Sequence, residues 1–142
     1  MNCGDIMKKS VVFLSREDTC YTAAKLMSDS NVGFLPVCED QKVIGTLTDR
    51  DICIRVVAFD RPASTLVGDV MTRDVIACLP DDSIEKAAQT MADNQVSRLL
   101  ICAPNGILQG IISLSDLPQI NAEQAFQAFQ GVTERESPVP PT

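Results

Sequence analysis

The chain has 142 residues, 45% of them hydrophobic and 22% charged, with a formal net charge of −7. That acidity has the wrong sign for neutralising phosphate backbones, so no nucleic-acid partner is expected, and no apolar run approaches the roughly 18 residues of a membrane span, so no membrane partner is expected either. Met1 to Lys9 lacks the apolar stretch of a secretory leader, which points to a cytoplasmic protein.

In chain order, Val11-Val12-Phe13-Leu14 predicts a short first strand. A helix follows, in which Cys20, Ala23, Ala24 and Met27 stand at i, i+3, i+4 and i+7, with Thr19 available as N-cap. The adjacent alanines imply close packing against a neighbour. Apolar runs over 34–38 and 43–47, joined by Glu39-Asp40-Gln41-Lys42, predict a hairpin, and a second helix opens at Asp49 and runs to about Ala58. Residues 59–65 are polar with one proline and no hydrophobic period, and the boundary between two domains, 1–60 and 67–120, is set at 61–66.

The series then repeats. Val75-Ile76-Ala77-Cys78 predicts a strand, Ile84, Ala87, Ala88 and Met91 a helix behind Ser83, and the runs 99–103 and 108–112 a hairpin across Pro104-Asn105-Gly106. A last helix opens at Leu114 and is stopped by Pro118. Beyond Ile120, the spacing of Ala122, Ala125, Phe126 and Phe129 predicts one more helix over 121–131, and residues 132–142, with three prolines, a disordered tail.

Underneath this order lies a duplication. Gly4-Asp5-Ile6-Met7 recurs as Gly68-Asp69-Val70-Met71, an offset of 68 − 4 = 64, which also carries Asp18 onto Asp82, Met27 onto Met91, Leu35 onto Leu99 and Cys38 onto Cys102. One extra residue raises the offset to 110 − 45 = 65, and with it Gly45 falls on Gly110, Thr48 on Ser113 and Asp51 on Asp116. Two copies of a unit of about 50 residues are too few for a solenoid. The expected fold is α/β, in the α+β sense: two βαββα repeats closed about a pseudo-two-fold axis.

Six cysteines and no histidine are present. No C-x-x-C pair occurs, so neither a zinc site nor a dithiol motif is written, no metal is expected, and Cys20, Cys38, Cys78 and Cys102 fall on core-facing positions where a thiol acts as a small hydrophobe. Without a histidine base no nucleophile and base pair is written. No Gly-rich phosphate loop is written either. No catalytic residues are therefore expected, and the protein is not read as an enzyme.

The residues that carry chemistry follow each third strand: Gly45-Thr46-Leu47-Thr48-Asp49-Arg50-Asp51 and Gly110-Ile111-Ile112-Ser113-Leu114-Ser115-Asp116. Each places a hydroxyl three residues ahead of a carboxylate at a helix start. Taken singly this is a helix-capping device. Taken as a symmetric pair it offers a hydroxyl donor and a carboxylate able to accept from two vicinal sugar hydroxyls, a set of partners shaped for a nucleotide.

These stretches, with Asp69-Val70-Met71-Thr72-Arg73-Asp74-Val75, Pro80-Asp81-Asp82-Ser83 and Val32-Gly33-Phe34-Leu35-Pro36-Val37, resemble a tandem pair of cystathionine β-synthase-type (CBS) domains, the Bateman module, over about Gly4 to Ile120. Small bacterial stand-alone CBS-pair proteins are the nearest kind. The resemblance implies domains packed through their sheets, modules paired as homodimers, and adenine nucleotides or related adenosyl ligands in the clefts between domains. It puts Asp51 and Asp116 on the ribose-binding acid, and Thr48 and Ser113 on the hydroxyl near ribose or phosphate. It puts Val11, Val12 and Phe13, or Val75, Ile76 and Ala77, beside the adenine. Arg98 falls on the basic phosphate-binding position and is expected to reach the Asp51 site, and Arg50 is a second phosphate candidate or a surface ion-pair partner. Because Phe34 matches Arg98 in the first copy, the Asp51 cleft is expected to bind more tightly than the Asp116 cleft. The implied function is a regulatory module sensing AMP, ADP, ATP or a related ligand for an unknown regulated protein, with no cofactor required. A ligand-free CBS-fold scaffold is the alternative.

Overall fold

The protein, described here from a computed structural model, is placed over residues 1–117, and the helix expected over 121–131 and the tail over 132–142 lie outside the described residues. In chain order the elements are α1 (Cys3–Ile6), α2 (Cys20–Ser30), β1 (Phe34–Glu39), β2 (Lys42–Thr48) and α3 (Asp49–Arg55). They continue with α4 (Val67–Val70), β3 (Ala77–Cys78), α5 (Ile84–Asn94), β4 (Arg98–Cys102) and β5 (Leu108–Ser113). The mixture of helices and small sheets is the α+β class that the two repeats predict. No helix of the described residues is long and apolar enough to cross a membrane.

Contacts divide the chain into two compact units that do not follow the repeats. Among the described residues, one takes Met1–Val11 together with Ile76–Asn105 and residues 109–117, and the other takes Val12–Val75 with Gly106–Leu108. Each repeat's Gly-Asp-Ile/Val-Met segment is thus built into the unit of the other repeat. The physical cause is a pair of matching backbone bonds. Gly4 and Cys3 donate to the carbonyls of Pro80 and Asp82 at 2.8 Å each, and Gly68 and Val67 donate to the carbonyls of Arg16 and Asp18 at 2.9 and 2.8 Å.

In the unit built on Val12–Val75, Thr19 Oγ accepts from the Thr22 amide at 3.1 Å to open α2. The helix ends at Asn31 in the left-handed region, φ 54°. The hairpin β1–β2 is antiparallel and turns through Asp40 and Gln41, both at positive φ as a two-residue I′-type turn requires. Leu14, Ala23, Met27, Leu35, Val37 and Leu47 form its core, sealed by Val67, Val70 and Met71.

Instead of the strand expected over Val11-Val12-Phe13-Leu14, only Leu14 pairs, in a parallel bridge to Val37, and Val12 and Phe13 are exposed. Leu14 donates to the Pro36 carbonyl at 2.9 Å and accepts from Cys38 at 2.8 Å. The next rung would need an N–H from Pro36, which has none. In the second copy Leu100 stands at that position and the parallel pairing extends to two residues, Ala77 with Leu100 and Cys78 with Ile101. Helix α3 also ends earlier than expected, at Arg55, and a 3₁₀ turn over Val57–Phe59 replaces its last part.

The unit built on Ile76–Asn105 repeats the plan. Ser83 Oγ accepts from the Lys86 amide at 3.1 Å to open α5, and Gln95 closes it at φ 55°. Strands β3, β4 and β5 form one sheet, with Lys8 bridging Ile111 at its edge. The one extra residue of the second copy falls in the loop between β4 and β5, where Gly106 takes φ 90°. Cys3, Cys78, Met91, Leu99, Ile101 and Ile112 supply the core. The last expected helix is a single 3₁₀ turn, Leu114–Asp116.

The four cysteines read as core-facing are buried, and so is Cys3; Cys53 is exposed. Burial, with the neighbouring Cys78 adding to it, pushes the Cys3 thiol up to about 11. Ala24 is exposed whereas its counterpart Ala88 is buried, so the Ala-Ala pair marks close packing in one copy only.

Candidate ligand site

Strand β2 delivers Thr48 as the N-cap of α3. Thr48 Oγ1 accepts from the Asp51 amide and Asp51 Oδ2 accepts from the Thr48 amide, both at 3.0 Å. This reciprocal box consumes one oxygen of the carboxylate. Asp51 is nevertheless 8% exposed, the one charged residue buried among those described. Its second oxygen, Oδ1, faces Arg55 Nη2 at 3.8 Å. Arg55 is held in place by its other nitrogen, which donates to the Val70 carbonyl at 2.8 Å and to Thr72 Oγ1 at 3.1 Å.

Strand β5 repeats the device with a shorter helix. Asp116 Oδ2 accepts from the Ser113 amide at 2.9 Å, and Ser113 Oγ lies 2.9 Å from Ser115 Oγ. Asp116 Oδ1 again faces a cation, here Lys8 Nζ at 3.4 Å. Burial pushes the Asp116 carboxyl up, but the Ser113 amide and hydroxyl and the Lys8 ammonium outweigh it and hold the group below the usual carboxylate range. The carboxylate is thus ionised at neutral pH.

The repeated glycine is explained by what lies over the strand. A Cβ on Gly45 would come within 2.7 Å of Met71 Sδ and 2.8 Å of the Thr72 carbonyl, and one on Gly110 within 2.5 Å of Met7 Sδ. Close approach lets Thr72 exchange two backbone bonds with Thr46, both at 2.9 Å, and Lys8 exchange two with Ile111, at 2.9 and 3.0 Å. The segment after each methionine is thereby clamped beside the acid.

Thr48 with Asp51, and Ser113 with Asp116, are the sequence candidates that the structure brings together. Val12 and Phe13 are exposed, Val11, Val75, Ile76 and Ala77 are half-buried, and Ala77 begins β3. Arg98 opens β4, half-buried, and Arg50 is exposed on α3. Neither guanidinium makes an ion pair or hydrogen bond with the described residues, so the surface pairing weighed for Arg50 is not formed among them. Sequence reasoning missed Arg55, Lys8 and Thr72. An i,i+4 acid and arginine pair signals the first, and the 64-residue offset, which sets Lys8 on Thr72, signals the others. Among the described residues no group of three or more His, Cys, Asp or Glu side chains is placed to hold a metal ion. What each arrangement offers is a carboxylate oxygen outside the capping box and beside a cation.

The CBS domain family model matches residues 3–58 and 67–119. CBS domain-containing protein YhcV of Bacillus subtilis is 38% identical over 133 residues, covering 92% of this chain and 94% of its own. Among solved structures, hypoxic response protein I with two coordinated zinc ions is 29% identical with a TM-score of 0.75, covering 82% of this chain and 95% of its own. The CBS domain pair of protein MJ0100 in complex with 5′-methylthioadenosine and S-adenosyl-L-methionine has a TM-score of 0.72 at 23% identity, over 82% of this chain and 95% of that one, and at that identity shows the shared fold.

Proposed function

The chain belongs to the CBS domain family, and from that premise we propose that it is a non-catalytic regulatory module that binds an adenosine-containing ligand and passes its bound state to a partner protein. Asp51 and Asp116 accept from ribose hydroxyls, Thr48 and Ser113 lie beside them, and AMP, ADP, ATP or a related adenosyl compound is the ligand. Arg98 and Arg50, without partners among the described residues, serve phosphate oxygens, and the half-buried apolar residues Val75, Ile76 and Ala77, with Val11, Val12 and Phe13, flank the base. The module acts as a cytoplasmic homodimer, so light scattering should give twice the chain mass of 15.4 kDa.

One observation carries this reading. Both copies of the capping box keep a carboxylate oxygen, Oδ1, outside the box and beside a cation. A cap needs only Oδ2. That an adenosyl ligand suits such a pair of repeats is supported by MJ0100, whose CBS pair holds two of them. The scaffold alternative is favoured by the same ion pairs taken as purely structural. Thermal unfolding with AMP, ATP and S-adenosylmethionine decides. A ligand bound only by the folded chain stabilises it by about 2.7 kcal/mol at a hundred times its dissociation constant. No shift at millimolar ligand leaves the scaffold.

A further inference from the structure

The two carboxylates receive their cations from different places. In one unit the cation is Arg55, the last residue of α3, fixed at three points by Asp51, the Val70 carbonyl and the Thr72 hydroxyl. In the other, α3 has no full counterpart, and the cation is Lys8, from the segment clamped to β5. Lys8 occupies the position that Thr72 holds in the first unit, with the same pair of backbone bonds to the strand residue two before the capping hydroxyl. Its main chain is therefore fixed, yet its ammonium has one ion pair among the described residues, and its side chain is 69% exposed. Arg55 cannot leave Asp51 without leaving the Val70 carbonyl uncapped. Lys8 can turn from Asp116 to another anion at the cost of one ion pair whose ammonium side is largely exposed and screened by solvent.

Resting on the reading above, we infer that Lys8 is a specificity-determining residue of the Asp116 site, yielding the carboxylate to a sugar diol and taking up the anionic group of the same ligand. The Asp116 site thus has a cation of its own, which the comparison of Arg98 with Phe34 does not reveal. It selects nucleoside phosphates over the nucleoside. At Asp51 the tethered Arg55 keeps its post, and Thr72 supplies no charge.

Calorimetry of the full chain with adenosine, AMP and ATP at low and high salt tests this, in the unmutated protein and with Asp51→Ala so that one carboxylate remains. Lys8→Thr, which copies the other unit, should leave adenosine affinity within about twofold and lower AMP affinity roughly three- to tenfold, with a flatter salt dependence. Lys8→Arg should restore the preference for AMP. An equal loss for all three ligands, no loss for any, or no binding once Asp51 is removed overturns the inference while leaving an adenosine-binding module in place. Failure of the unmutated chain to bind any of the three overturns the functional reading and this inference with it.

Discussion

Arg55 faces the buried carboxylate of Asp51 at 3.8 Å across one helical turn and ties it, through the Val70 carbonyl at 2.8 Å, to the segment that follows the linker. Helix α3 is only 7 residues long. Its anchorage therefore comes from tertiary contacts rather than helix propensity. Arg55→Met keeps the stem and removes the charge, leaving a buried acid without its cation and a carbonyl without its donor. With Arg55 41% exposed, solvent replaces part of the loss, and the expected destabilisation is about 1 to 2 kcal/mol. A urea titration measures it.

The two strand glycines should respond differently to alanine. At Gly45 a new Cβ meets the backbone carbonyl of Thr72 at 2.8 Å as well as the Met71 sulfur, whereas at Gly110 the three nearest atoms all belong to the Met7 side chain. Each substitution should cost about 1 to 3 kcal/mol. Met7→Ala should recover part of the loss in Gly110→Ala, and Met71→Ala should recover little in Gly45→Ala. Thermal unfolding of the four single and two double variants reads the difference.

Acid should weaken the fold through Asp82 as well as Asp116. The Leu79 amide, donating at 2.8 Å, holds the Asp82 carboxyl below its ordinary value against the opposing effect of burial, and Lys86 assists. A depressed folded-state value means that the contribution is present above the unfolded pKa of about 3.9 and is lost as pH falls through the folded one. The stability gap between the unmutated chain and Asp82→Asn should therefore be full at pH 7 and shrink below about pH 4. A gap independent of pH would contradict it.

The duplication, the caps at Thr19 and Ser83, the hairpins and the paired acids are legible in the sequence because each is a local pattern. Periodicity, a hydroxyl at a fixed offset, or a polar turn between apolar runs is enough to find them. The first strand is overread at Val12 and Phe13 because its limit is set by a missing N–H at Pro36, a residue of the neighbouring strand. The exchange of Met1–Val11 into the second repeat's unit leaves no local trace, since Gly4 docks on the carbonyl of Pro80. At the candidate site the carboxylates and hydroxyls are legible as local motifs, whereas their cations leave only an i,i+4 spacing and the 64-residue offset as signals. Lys8 reaches Asp116 from the far end of the chain.

In the proposed function Asp51 and Asp116 accept from a ribose diol. Calorimetry comparing AMP with 2′-deoxy-AMP on the unmutated chain, Asp51→Ala and Asp116→Ala tests it most directly. A carboxylate that accepts from the diol is worth about 1.5 to 3 kcal/mol, roughly a tenfold to hundredfold change in affinity. The unmutated chain should bind AMP more tightly than the deoxy ligand by about that factor, and each alanine variant should lose the discrimination in one binding event and keep it in the other. Equal affinity for the two ligands in the unmutated chain, or an alanine variant that still discriminates in both binding events, would contradict the account.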